Sequence, residues 1–116
     1  MRRLVVTATV MIGLLLAAPA YGDSPRYDVP HGFTRCANAV AWHGFFKWAS
    51  QRDTTCRAAA RFMRTYAARA DGDQMPRQVA GYRCRIRFWS NSEGDVYASR
   101  HVCSRGDAVI RFYGMV

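Results

Sequence analysis

An α+β fold, with one main helix packed on a small antiparallel sheet and stapled by disulfides, follows from three features of the chain. A compact amphipathic segment runs from Thr54 to Ala70. Period-two alternation starts at Tyr82 and resumes after each of two turn clusters. Of four cysteines, Cys36 precedes the helical segment, Cys56 lies within it, and Cys84 and Cys103 lie in the alternating part. A helical stripe followed by strands joined by tight turns buries its apolar side against the meander those strands form.

The first element is not part of that fold. Met1-Arg2-Arg3 leads an apolar run from Leu4 to Ala18 and a small-x-small pattern at Ala18-Pro19-Ala20, so residues 1–20 read as a secretory signal peptide. The run is shorter than the ~20 residues of a spanning helix, which leaves no membrane segment once the signal is cleaved. Nothing polar precedes the arginine pair, which favours the general secretory route over twin-arginine export. Of 116 residues, 96 remain after removal of the first 20, and the formal charge falls from +9 to +7 with Arg2 and Arg3. A domain of that size buries a thin core and commonly adds disulfides, which an oxidising extracellular compartment permits.

Residues 21–35 carry Pro25, Pro30, Gly22 and Gly32 without any period, so they read as an extended, partly mobile arm. The stapled domain then runs over residues 36–116. Its first stretch, Cys36 to Ser50, supports two readings. Trp42, Phe45, Phe46 and Ala49 have helical spacing, whereas Gly44 to Ala49 also reads as an aromatic-rich strand. A single helix over the whole stretch would hold Cys36 and Cys56 roughly 20 Å apart, too far to bridge. A short helix followed by a strand would leave that bridge open.

In the main helix, Cys56, Ala59, Ala60, Met63, Tyr66, Ala67 and Ala70 form the apolar stripe, and Arg57, Arg61, Arg64 and Thr65 fall on the other side. Thr54 or Thr55 supplies the N-cap, and Asp71-Gly72 releases the chain. Residues 71–78 make a polar loop. Next, Tyr82, Cys84, Ile86 and Phe88 alternate with Arg83, Arg85, Arg87 and Trp89, the pattern of a strand with one dry and one wet side. Ser90 to Asp95 is a turn cluster, Val96 to Cys103 the returning strand, and Ala108 to Tyr113 a third strand after the Ser104–Asp107 turn. A hairpin centred between Glu93 and Gly94 pairs residue i with 187 − i, which sets Cys84 opposite Cys103. Cys36 and Cys56 are left as the second pair, although four cysteines allow three connectivities and the helix cysteine could instead reach the sheet.

Cys56-Arg57-Ala58-Ala59-Ala60, Gly81-Tyr82-Arg83-Cys84, Val102-Cys103 with Arg105-Gly106, and Val109-Ile110-Arg111-Phe112 together resemble a small cysteine-containing α+β domain common in uncharacterised actinobacterial exported proteins. The resemblance covers roughly residues 44–114, and Cys36 lies outside it. It implies export and an α+β fold, with a strand before the helix over Phe45 to Ala49. It implies no catalytic residues.

The chemistry follows from charge. Arginine supplies all the basic residues but Lys47, a bias that a GC-rich genome produces with its alanines. The surplus charge itself suits an anionic polymer or an acidic protein. The candidate basic surface is Arg83, Arg85 and Arg87 beside Trp89, with Arg57, Arg61 and Arg64 on the helix. Specific nucleic-acid binding is not favoured, because a solvated sheet face has the same pattern. A ribonuclease-like hydrolase is the alternative, with Glu93 and His101 exchanging protons and Arg85, Arg87 or Arg100 holding phosphate. In the hairpin, however, Glu93 sits at the turn and His101 opposite Ile86, roughly 20 Å along the ladder. His31, His43 and His101 match no metal-ligand spacing, and no cofactor-binding motif is present. The sequence thus predicts a secreted, basic, non-catalytic binding module.

Overall fold

Thr55 adopts an extended conformation and its hydroxyl accepts a hydrogen bond from the Ala58 N–H at 3.0 Å, so helix α1 begins at the next residue and spans Cys56–Arg69. The computed structural model describes residues 24–71 and 74–116. The signal-peptide segment and Gly72 of the expected release turn lie outside the described residues. The buried helix face is Ala59, Phe62, Met63 and Tyr66. It is rotated from the expected stripe, because Phe62 has far more apolar area to bury than the alanines at 60, 67 and 70, which flank the core half-buried.

α1 packs on one six-stranded antiparallel sheet rather than on a three- or four-stranded one. The strands are β1 (Thr34–Cys36), β2 (Phe46–Arg52), β3 (Gln78–Val79), β4 (Tyr82–Ser90), β5 (Val96–Arg105) and β6 (Ala108–Met115), in the spatial order β1-β2-β6-β5-β4-β3. The meander β4-β5-β6 has the expected register: Arg83 to Trp89 pair with Ser104 to Ala98, Cys84 opposite Cys103. The two extra edge strands are too short to show a period. β1 belongs to the supposed arm and is held by β2 on one side and by the Cys36–Cys56 disulfide to the helix. β3 joins β4 through Ala80 and Gly81, both at positive φ (50° and 78°), the conformation a two-residue hairpin needs.

Residues 36–45 form no helix. Ala41 bridges Phe46 around a tight turn in which Trp42, His43 and Gly44 all have positive φ. A bulge then follows in β2: Lys47 pairs with Tyr113 but Ser50 with Arg111, with Trp48 at φ 56°. The extra residue lets Phe46 and Ala49, three apart, both enter the core. What resembled helical spacing here is a bulged strand.

The two sheet faces differ. The inner face meets α1, and the rings of Phe46, Tyr66 and Phe112 lie 5.2–5.5 Å apart there in edge-on contacts. The Cys84–Cys103 disulfide lies in the same core. The outer face was expected to be wet, yet Trp89, Ala98 and Tyr113 form a second buried cluster on it with Trp48 and Met115. The facing of Phe88 and Trp89 is correspondingly opposite in exposure to the expectation: Phe88 is 43% exposed and Trp89 only 7%. The core that α1 seals reaches Cys84 on β4 and stops short of Phe88, while Trp89 is covered from the other side.

Candidate binding surface on the outer sheet face

The outer face presents a row of four aromatic rings that crosses the strands. Tyr27, from the arm, stacks on Trp48 at 6.0 Å; Trp48 meets Tyr113 at 5.6 Å; Tyr113 stacks on Trp89 at 6.2 Å. Each ring carries a cation. Arg35 lies 4.0 Å from the Tyr27 centroid, Lys47 5.7 Å from Trp48, Arg111 5.4 Å from Tyr113, and Arg87 and Arg100 4.5 and 5.7 Å from Trp89. Strand alternation explains the set, since Lys47, Tyr113, Arg100 and Arg87 occupy one continuous rung through β2, β6, β5 and β4. The bulge supplies Trp48, the arm supplies Tyr27, and Trp89 lies two residues beyond Arg87 on the same face of β4.

The arm is part of this face. The Tyr27 hydroxyl donates to the Ala49 carbonyl and Arg111 donates to the Asp28 carbonyl. Burial raises the Tyr27 pKa, an effect partly offset by a hydrogen bond from the Cys36 backbone and by the Arg35 charge. The arm therefore covers the β2–β6 end and leaves the β4 end open, where Arg83, Arg85 and Arg87 are exposed.

The predicted surface divides in two. Arg83, Arg85, Arg87 and Trp89 lie on the outer face, whereas Arg57, Arg61 and Arg64 are exposed on the helix, on the opposite side of the sheet. No single ligand face includes both sets. Trp89 also has a different role from the one expected: its ring is buried beneath two guanidinium groups, so it anchors arginines instead of offering a platform for a base. Arg87 and Arg100 are direct cross-strand partners, a like-charge pairing that costs stability by itself. Arg83, Arg85 and Arg100 have no carboxylate partner among the described residues.

His101 faces inward. It is fully buried, stacked on Phe112 at 4.7 Å, and held between Ser99 Oγ at 2.7 Å from Nε2 and Tyr66 Oη at 2.9 Å from Nδ1. Burial lowers its pKa to about 3, and burial likewise pushes the Tyr66 phenol up, opposed weakly by Arg77. A neutral imidazole donates through one nitrogen and accepts through the other, which satisfies both hydroxyls. This Ser-His-Tyr chain is closed to solvent and separated by the sheet from Arg85, Arg87 and Arg100, while Glu93 stands exposed in the β4–β5 turn. The residues named for phosphoryl chemistry do not converge. Among the described residues no three His, Cys, Asp or Glu side chains gather as metal ligands, and no helix is long and apolar enough to cross a membrane.

One concavity had no signal in the sequence. A cleft of about 670 Å³ opens on the helix side of the sheet, with Phe88 and Val96 from the hairpin on one wall and Trp42 and Phe45 from the strained turn on the other. Its residues come from five separate stretches, Met75 and Val116 among them, so only the fold assembles them. Comparison of the chain with protein-family models, curated proteins and solved structures finds no match.

Proposed function

We propose that the protein is an exported, non-catalytic binding module that holds an anionic polymer, or an acidic protein surface, on the β4–β5 end of its outer sheet face. The observation that carries this reading is the group of cations Arg83, Arg85 and Arg100 on that face, none of which has a carboxylate partner among the described residues. Such an arrangement opposes folding electrostatically and is relieved when an anion binds. The Trp89 ring is occupied by guanidinium groups, which favours recognition by charge over stacking of unpaired bases.

Two disulfides are consistent with an oxidising, extracellular setting, and the signal-like first 20 residues support export. Membership of the actinobacterial exported-domain family belongs to the same proposal. The non-catalytic part rests on the enclosure of His101 away from the arginines. Titration with heparin and with polyphosphate over a salt series tests the reading. Binding should weaken linearly in log affinity with log salt. Absence of binding at ~50 mM salt would overturn it, as would a zymogram showing nuclease activity that is lost in His101→Ala.

A further inference from the structure

Phe88 sits on β4 in step with Cys84, on the sheet side that α1 covers elsewhere, yet it is 43% exposed; Val96 across the hairpin is 53% exposed. An inward-facing aromatic without a covering layer marks a place where the fold leaves a gap. Trp42 and Phe45 face it across the cleft, presented by a turn in which the non-glycine residues Trp42 and His43 are both held at φ 54°. Backbone in that region is costly and persists where the surrounding structure fixes it, commonly at binding sites. Met75, with an unbranched chain that adapts to an occupant, and Val116 complete the lining, and among the described residues His43 is the only titratable side chain on the wall.

We propose that this cleft binds a slender apolar small molecule, of the class of a single alkyl chain ended by one hydrogen-bonding group, with the chain against Trp42, Phe45 and Phe88 and the polar end at His43. The scale selects this occupant. A cleft of about 670 Å³ lies within the ~300–1,000 Å³ of small-molecule sites, apolar walls with one placed polar group being their usual chemistry. A protein partner or second copy needs ~800 Å² per side, far more than this concavity offers. His43 is exposed at the wall, so its imidazole can donate to or accept from a carboxylate or hydroxyl while the chain leaves water. The site is on the face opposite the arginine row, so it stands independently of the polyanion reading.

Calorimetric titration of the whole exported domain with decanoate tests the proposal. One saturable site is expected. The Phe88→Ala/Val96→Ala double variant should weaken it by about tenfold or more, since both side chains lose contact with the chain. Both residues are exposed, so the variant should melt as the wild type does. The Arg83→Gln/Arg85→Gln/Arg87→Gln variant should bind decanoate unchanged. Three results would overturn the proposal: no saturable heat, a loss that follows the arginines instead of Phe88 and Val96, or a wild-type dimer in sedimentation that the double variant lacks, which would make this a self-association face.

Discussion

Replacing His101 with glutamine should remove most of the acid sensitivity of the fold between pH 6.5 and 4.5. In the native state the imidazole is sealed between Ser99, Tyr66 and Phe112 and its pKa is lowered to about 3, against about 6.5 when unfolded. A lowered pKa means that the unfolded chain binds the proton first. The neutral imidazole's contribution is therefore complete above the unfolded pKa, and it is lost as pH falls from about 6.5 toward the folded value. Each unit is worth about 1.4 kcal/mol, so the wild type should lose about 2.7 kcal/mol from this group by pH 4.5. For a domain of this size that is a melting-temperature drop of roughly 10–20 °C. Glutamine keeps a donor and an acceptor but does not titrate. His101→Gln will start less stable, and its melting temperature should fall less steeply over that window; the carboxylates contribute equally to both curves. Parallel curves for the two proteins would show that the imidazole can take a proton inside the fold and that the core around it is not sealed.

Three other outcomes follow from the packing. At Gly114 an added Cβ would lie 2.5 Å from Phe45 Cε1 and 2.7 Å from Ser99 Oγ, so Gly114→Ala should cost about 1–3 kcal/mol by overpacking, read as a lower denaturant midpoint. Tyr27→Ala removes the ring between Trp48 and Arg35 that holds the arm down, and limited trypsin digestion should then cut at Arg26 faster than in wild type; an unchanged rate would mean that the ring does not hold the arm. Peptide mapping without reductant should return Cys36–Cys56 and Cys84–Cys103, and removing the first bridge, whose cysteines lie 20 residues apart, should cost about 3 kcal/mol in a chemical melt. A Cys56–Cys84 link would contradict the helix placement.

The parts of this fold that could be read from the sequence are those with a long enough pattern to constrain them. β4 and β5 have nine and ten residues, and one turn cluster between them sets a register in which Cys84 meets Cys103. α1 has four turns, a threonine cap and a clear apolar side. β1 and β3, with three and two residues, hold their places through tertiary contacts alone, so no local pattern announces them. The bulge at Trp48 turned a period of two into an apparent helical spacing. The outer aromatic row was hidden for a related reason: Trp89 alternates with the arginines and therefore reads as wet, and only Tyr113, Trp48 and the guanidinium stems around it make its position dry. The arginine stripe of β4 was visible, but its separation from Arg57, Arg61 and Arg64 was not, because which way the helix stripe faces relative to the strand's wet side is a property of the assembled layers.

That separation allows the most direct test of the account, a comparison of two variants that lose the same charge from opposite sides of the molecule. Arg83→Gln/Arg85→Gln/Arg87→Gln and Arg57→Gln/Arg61→Gln/Arg64→Gln each remove three positive charges, and exposed positions of this kind should leave both variants folded, apart from the contact of Arg87 with Trp89. Heparin affinity is then measured for both over the same salt series. A binding surface on the outer sheet face predicts that the β4 variant loses affinity and shows a flatter salt dependence while the helix variant stays close to wild type. Equal losses in the two variants would show that only net charge attracts the polyanion, and a loss confined to the helix variant would place the binding surface on the wrong side of the sheet.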